Sequence, residues 1–148
     1  MASTFLALHY HIVFGTKDRA PTIDIAWRPR LHDYLSGTIV GLGGISIAIG
    51  GVADHVHLLV SLKATHAVAD VLRELKKASS NWVHSEINLA RFAWQEGYAA
   101  FTVGASDIES VRRYIANQEE HHRTRDVRSE WMAMLERAGI PYDARYLE

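Results

Sequence analysis

The stretch DHVHLLV, residues 54–60, decides how the rest of the chain can fold. Its apolar residues alternate and its valines are β-branched, which is typical of a β-strand. Side chains two positions apart on a strand point to the same face, so His55 and His57 would lie side by side. Val56 and Leu58 would face a core on the other side. Two imidazoles on a rigid strand are half of a metal site, although His-x-His also occurs by chance in a short chain with nine histidines.

Sequence periodicity predicts three further strands and two long helices around this strand. The strands share alternating apolar residues and cover residues 8–15, 45–49 and 92–103. The helices share apolar residues at helical spacing and cover residues 22–36, with Thr22 as N-cap, and residues 65–86, with Thr65 as N-cap. The pair Gly50-Gly51 predicts a hairpin turn, which makes the histidine strand antiparallel to the strand before it.

Two more helices are predicted after the last strand. A capping box at Ser106–Glu109 predicts that the first begins there, and an amphipathic pattern predicts the second over residues 127–138. The order β-α-β-β-α-β favours the α+β class and a ferredoxin-like antiparallel sheet with both crossover helices on one face. The histidines would then lie on the opposite face, where the first C-terminal helix can cover them.

Length and composition predict one globular domain over residues 1–148, since 48% of the residues are apolar and 22% are charged. The absence of cysteine excludes disulfides, thiolate metal sites and a cysteine nucleophile. The sequence shows no signal peptide and no apolar segment long enough to span a bilayer, so we expect a cytoplasmic protein without membrane association. The net charge of −1 means that any contact with DNA must use a local basic patch.

Tyr114 and Gln118 are the second notable pair, because residues four apart project from the same face of a helix. A phenolic oxygen can attack a phosphodiester when a divalent cation neutralises the phosphate. Two imidazoles and one amide oxygen would leave coordination positions open on such a cation. Magnesium prefers oxygen ligands and manganese accepts imidazole, so the residues do not decide between them. His9 and His11 on the first strand form a rival pair that spacing alone does not dismiss.

Residues 54–60 together with YIANQ, residues 114–118, resemble the motifs of the single-tyrosine HUH transposases of small bacterial insertion sequences. HUH stands for His-hydrophobic-His, and this IS200-like family is related to the tyrosine transposases associated with repeated extragenic palindromes (REP). The resemblance extends over nearly the whole chain and includes YHIVF (10–14), TK (16–17), LKKASS (75–80), WQEGY (94–98) and GIPYD (139–143).

The resemblance implies that His55, His57 and Gln118 bind a divalent cation, Mg²⁺ or Mn²⁺, and that Tyr114 on the first C-terminal helix is the nucleophile. It implies cleavage and rejoining of single-stranded DNA at hairpin-marked element ends through a covalent 5′-phosphotyrosine intermediate. Insertion-sequence members are commonly homodimers, so we expect a homodimer, whereas REP-linked relatives can be monomers. The candidate DNA contacts are Lys17, Arg19, Lys76, Lys77, Arg112, Arg113, Arg123 and Arg125.

Two other functions stay open at this point. A domesticated protein of the same fold would hold hairpin DNA without strand transfer. A metal-dependent hydrolase would use His55, His57, Asp54 and either His9 or His11 to activate water. The hydrolase would form no covalent adduct with DNA, and it leaves the Tyr114–Gln118 spacing unexplained.

Overall fold

The computed structural model describes residues 3–123 and 126–147. Four strands form one antiparallel sheet in the order β2-β3-β1-β4. They are β1 (His9–Gly15), β2 (Ile45–Gly51), β3 (His55–Ser61) and β4 (Ala99–Val103). The predicted α+β, ferredoxin-like sheet is therefore confirmed.

Two long helices cover one face of the sheet, α1 (Arg28–Gly41) and α2 (Val68–Trp82). Alternate residues of β1 and β3, among them Phe14 and Leu58, are fully buried against them in the larger core cluster. The alternation predicted for the histidine strand thus places its apolar side chains on this face. Among the described residues, no helix combines the length and apolar character needed to cross a membrane.

The C-terminal helices pack on the opposite face, which carries the β3 histidines. They are α3 (Ile108–Ala116), a one-turn helix α4 (Gln118–His121) that the sequence did not predict, and α5 (Val127–Arg137). Ile115 of α3 packs against Leu59 of β3, and Trp131 of α5 belongs to the same apolar cluster as Val13 of β1. The predicted coverage of the histidine face is confirmed, and the three C-terminal helices share it.

Gly50 and Gly51 do not form the predicted hairpin turn. Both belong to β2, and residues 52–54 make the connection to β3. The glycine at position 50 is explained by helix packing, because a Cβ built there would lie 2.2 Å from the carbonyl oxygen of Ile115. A glycine inside a strand often marks such a close approach of two backbones.

Both long helices begin later than predicted. α1 begins at Arg28 rather than near Thr22, and Pro29 lies in its first turn, where the fixed φ of proline suits a helix. The hydroxyl of Thr22 lies 3.4 Å from a carbonyl two residues earlier and does not cap the helix. α2 begins at Val68 without a side-chain cap, so the predicted cap at Thr65 is wrong. Its C-terminal end continues as one π-helical turn, Val83–Ile87.

The last strand is shorter than predicted, since β4 begins at Ala99 and residues 92–98 connect it to the preceding helical turn. In this connection the carbonyls of residues 95–97 accept hydrogen bonds from the ammonium of Lys76. α3 begins where expected, but the predicted capping box does not form. Asp107 is the N-cap and makes no capping side-chain hydrogen bond.

Candidate active site

His55 and His57 lie at the centre of the sheet, opposite Gly15 and Val13 of β1. Both side chains are fully buried, so their polar atoms need partners inside the protein. Nδ1 of His55 lies 2.8 Å from a carboxylate oxygen of Asp54, and Nδ1 of His57 lies 2.8 Å from Nε2 of His11. These contacts fix both rings and direct their Nε2 atoms toward the C-terminal helices.

The rival pair His9 and His11 does not form a second site. His11 belongs to the same cluster as the β3 histidines and contacts His57 directly, with ring centroids 5.1 Å apart. Burial and the charge of His57 lower the pKa of His11 to about 3, so its ring stays neutral. His11 therefore supports the ring of His57 through the contact between its Nε2 and Nδ1 of His57.

Gln118 and Tyr114 reach this cluster from α4 and α3. The buried amide oxygen of Gln118 lies 3.2 Å from Nε2 of His55. The half-buried ring of Tyr114 packs edge-on against His57 with centroids 5.6 Å apart. The helix is not continuous between the two residues as the spacing argument assumed, because Asn117 interrupts it. All four residues predicted to form the site nevertheless lie together in one chain.

Glu130 of α5 is a member of this cluster that sequence reasoning missed. Its carboxylate is 1% exposed, and its Oε1 accepts a hydrogen bond from Nε2 of His57 at 3.1 Å. Its Oε2 accepts a hydrogen bond from the hydroxyl of Tyr114 and lies 3.1 Å and 3.2 Å from Nε2 of His121 and His122. Glu130 is thus surrounded by imidazoles and the phenol.

The sequence did contain a signal for Glu130. Val127, Glu130, Trp131 and Met134 follow the spacing of one buried helical stripe, and all four are buried in the structure. A carboxylate on such a stripe must be paired, because burying an unpaired charge is very costly. The apolar residues of α5 alone predict the buried stripe but do not reveal that Glu130 belongs to it.

The carboxylates control the charge of the cluster. Burial lowers the pKa of His55, but hydrogen bonds to Asp54 and Glu130 outweigh this effect and raise that pKa to about 9. Burial would raise the pKa of Glu130, but hydrogen bonds from His122 and from the two β3 histidines hold it well below its usual range. Burial dominates at His57 and lowers its pKa to about 4.

The phenol of Tyr114 is held in its protonated form. Burial, and then the hydrogen bond to the carboxylate of Glu130, raise the pKa of Tyr114 well above its ordinary value. A phenol in this state is a weak nucleophile until the negative charge beside it is balanced. Its activation therefore depends on what else enters the cluster.

The donor atoms of the cluster suit a divalent cation. Ligand atoms of His55, His122 and Glu130 all lie within 4.8 Å of one another. Nε2 of His57 lies 3.1 Å from Oε1 of the same glutamate. Imidazole nitrogens together with carboxylate and amide oxygens are ligands of the first-row divalent metals. The residues present therefore fit a divalent metal ion, and His55 is common to this group and to the ligands that the sequence predicts.

A groove of about 540 Å³ opens beside Tyr114, between β4, α3 and α5. Phe101, Asp107 and Arg137 contribute to its walls together with His11 and Tyr114. Its volume is in the range of ligand sites in proteins. The groove gives a ligand access to the side of the cluster on which the phenol lies.

The predicted DNA contacts divide into exposed and engaged side chains. Exposed positions are Lys17, Lys77, Arg112, Arg113 and Arg123. Arg112 and Arg123 pair with Glu109 and Glu120, respectively. Arg19 donates to the carbonyl of Leu147, and Lys76 donates to three carbonyls of the connection before β4. Arg125 lies outside the described residues, and DNA binding by all eight stays a prediction.

Comparison with known proteins identifies the family. Residues 4–118 match the family model described as Transposase IS200 like, so the chain belongs to the IS200-like transposases, and the resemblance seen in the sequence is confirmed. This family consists of enzymes that cleave DNA and transfer its strands. The chain is 26% identical over 119 residues to the ISDra2 transposase TnpA of Deinococcus radiodurans. This alignment covers 76% of this chain and 85% of the relative.

Two solved structures share the fold. A putative transposase from Deinococcus radiodurans superposes with a TM-score of 0.63 at 24% identity, covering 80% of this chain and 96% of the other. A REP-associated tyrosine transposase, solved bound to a REP hairpin, superposes with a TM-score of 0.61 at 14% identity, covering 82% of this chain and 74% of the other.

Proposed function

We propose that this transposase cleaves and rejoins single-stranded DNA at hairpin-marked ends, with Tyr114 as the nucleophile. A divalent cation, Mg²⁺ or Mn²⁺, is held by His55, His57 and Gln118. One observation carries the proposal: the hydroxyl of Tyr114 and the Nε2 atoms of both β3 histidines converge on the carboxylate of Glu130. The phenol and the ligand nitrogens therefore reach the same place within one chain.

The reaction forms one bond and breaks one bond in each step. The oxygen of Tyr114 attacks a phosphorus of the DNA strand, and the bond from that phosphorus to the 3′ oxygen breaks. The proton that the phenol loses is balanced by the proton that the 3′ oxygen gains. The products are a 5′-phosphotyrosine and a free 3′-hydroxyl. In the second step a 3′-hydroxyl attacks the phosphotyrosine and releases the phenol, so the energy of the ester is kept and no external energy source is needed.

The residues of the chain provide orientation, burial and charge. Oε2 of Glu130 accepts the hydrogen bond of the Tyr114 hydroxyl and fixes the direction of its oxygen. Asp54 and His11 fix the imidazole rings through their Nδ1 atoms. The cation, when bound, neutralises the phosphate and polarises the bond that breaks.

Hairpin DNA as the partner is supported by the likeness to the REP-associated protein, whose structure contains a REP hairpin. The net charge of −1 confines DNA binding to local patches of basic residues. Lys17, Lys77 and Arg113 are exposed and could contact phosphates, which would make the affinity depend on salt.

The site is formed within one chain, which supports attack by Tyr114 in cis. The homodimer expected from insertion-sequence members stays a prediction. Mixing a Tyr114→Phe chain with a His55→Ala chain tests it. Adduct formation that returns only on mixing would show that the tyrosine of one subunit acts at the histidines of another.

The function is tested by a covalent-adduct assay. Wild-type protein is incubated with Mg²⁺ or Mn²⁺ and with single strands from both sides of its gene that contain imperfect palindromes. We expect a protein–DNA adduct that resists denaturant, is lost in Tyr114→Phe and is unchanged in Tyr34→Phe, a control on the opposite face of the sheet. Full-rate cleavage by Tyr114→Phe would refute the assignment of Tyr114 as the nucleophile.

A metal-dependent hydrolase is the second candidate, since the structure places Asp54, His11 and both β3 histidines in contact. It predicts cleavage by water, no adduct and little effect of Tyr114→Phe. A domesticated binding protein predicts instead equal hairpin binding with and without metal, and no nicking. The adduct assay distinguishes all three.

A further inference from the structure

We infer that Glu130 is itself a ligand of the divalent cation, through Oε1, and that its Oε2 positions the hydroxyl of Tyr114. This inference deepens the proposed function and rests on the same cation site. It changes the donor set from two imidazoles and an amide to two imidazoles, an amide and a carboxylate. Glu130 lies on α5, beyond residues 4–118 that match the family model, so the family match does not assign it.

The distances between donor atoms support this assignment. Oε1 of Glu130 lies 3.1 Å from Nε2 of His57 and 3.4 Å from Nε2 of His55. Oε1 of Gln118 lies 3.2 Å from the same nitrogen of His55. Ligands that each lie about 2.1 Å from one ion are about 3.0 Å apart along an octahedral edge. These three pairs of donor atoms therefore already have separations close to those of neighbouring ligands around one ion.

The charge of Glu130 supports it as well. The carboxylate is buried, and its ion-pair partners are His55, His57, His121 and His122, whose rings are charged only when protonated. A buried carboxylate is stable when it is paired or when it coordinates a metal. A divalent cation at the β3 histidines balances the carboxylate while leaving the imidazoles neutral, as metal ligation requires.

The two oxygens of Glu130 face different partners. Oε1 faces the β3 histidines, whereas Oε2 accepts the hydrogen bond from Tyr114 and faces His122. One side chain thus joins the ligand cluster to the nucleophile. Glu130 is therefore a positioning residue for the phenol as well as a ligand. The packing of α5 places its two carboxylate oxygens for these two roles.

The two imidazoles of this donor set favour a transition-metal ion over Mg²⁺. A set of two histidines and one carboxylate is used by proteins for first-row transition ions, and nitrogen ligands disfavour Mg²⁺. We therefore expect this site to bind Mn²⁺ more tightly than Mg²⁺. Mn²⁺ is also a convenient probe, because its paramagnetic resonance distinguishes bound from free ion.

The test measures Mn²⁺ binding to the full chain without DNA, by electron paramagnetic resonance of free Mn²⁺ and by calorimetry. Wild type should bind one Mn²⁺, and Glu130→Gln should weaken the affinity at least about tenfold. Glu136→Gln, the same change at an exposed position of α5, should stay within about twofold of wild type.

Wild-type affinity in Glu130→Gln, with binding lost in His55→Ala, would overturn the inference. Circular dichroism establishes that each variant is folded. If Glu130→Gln does not fold, wild-type protein labelled with ¹³C at glutamate carboxylates is used instead. Electron–nuclear double resonance then shows a ¹³C coupling to bound Mn²⁺ if the inference is right, and its absence overturns it.

Failure of the inference can be distinguished from failure of the proposed function. Unchanged Mn²⁺ affinity in Glu130→Gln would refute the assignment of Glu130 as a ligand, and it would not affect the expectation that wild type forms an adduct with DNA. Absence of any adduct with DNA would remove the strand-transfer proposal and leave the DNA-free Mn²⁺ titration untouched.

Discussion

Replacing Gly50 with alanine tests how the sheet positions the helix that carries Tyr114. Gly50 lies on β2, and a Cβ there would meet the carbonyl oxygen of Ile115 at 2.2 Å and its Cγ2 at 3.0 Å. Ordinary contacts of a Cβ begin near 3.4 Å. The backbone of α3 would therefore have to move away from β2 by about 1 Å, since packed interiors have no free space to absorb the clash.

The displacement should affect stability and chemistry together. Forcing an extra methyl group into a packed contact costs about 1–3 kcal/mol of unfolding free energy. Ile115 directly follows Tyr114 and precedes Gln118 by three residues, so both move with it. A shift of about 1 Å at a reacting group lowers a rate about 100-fold. We therefore expect Gly50→Ala to lower the unfolding free energy by about 1–3 kcal/mol. We also expect it to lower the rate of adduct formation about 100-fold.

The assay pairs urea unfolding, followed by tryptophan fluorescence, with the single-turnover rate of adduct formation at saturating DNA and Mn²⁺. Gly37→Ala is the matched control, because a Cβ at this exposed position of α1 meets nothing within 4 Å. It should raise the unfolding free energy by about 0.5–1 kcal/mol and leave the rate unchanged. Wild-type stability and rate in Gly50→Ala would refute the close packing of α3 on β2. Lost stability with an unchanged rate would refute its link to the chemistry.

Three further changes test other parts of the structure. Burial, and then the charge of Arg28, lower the pKa of His32 from 6.5 to about 4, so the unfolded chain binds a proton that the folded chain does not as the pH falls. Wild type should therefore lose about 1–2 kcal/mol more unfolding free energy than His32→Gln between pH 7 and pH 5 in urea titrations. Lys76→Met should cost about 1–2 kcal/mol by the same measurement, because three carbonyls lose their donor, whereas Lys77→Met should be neutral for stability. Asp126→Ala should cost about 1 kcal/mol in urea unfolding, because its carboxylate caps α5.

The sheet could be predicted because strand faces are a local property of the sequence. Alternation along residues 54–60 assigns one face to the core and the other to His55 and His57, and no distant residue is needed for that conclusion. The ends of elements are different, because distant contacts decide them. Lys76 holds the carbonyls of residues 95–97 in the connection before β4, and nothing in those residues alone reveals this.

The site could be predicted only where its residues are close together in the sequence. His55 and His57 lie on one strand, and the pair Tyr114 and Gln118 is separated by four residues. Glu130 lies 73 residues beyond His57, so no local spacing connects them. The remaining signal was chemical, namely a carboxylate on the buried stripe of α5, and it indicates burial without naming the partner.

Three residues contradict what their local surroundings favour, and all three adjoin His57. His11 is a buried histidine on a central strand, and it contacts Nδ1 of His57. Glu130 is a buried carboxylate on an amphipathic helix, and it contacts Nε2 of the same ring. Gly50 interrupts a β-branched strand, and it is the residue paired with His57 across the β2–β3 ladder. Exceptions to local rules are retained where a site requires them. Their convergence on one imidazole places His57 at the centre of the buried polar cluster, and this conclusion needs no sequence motif.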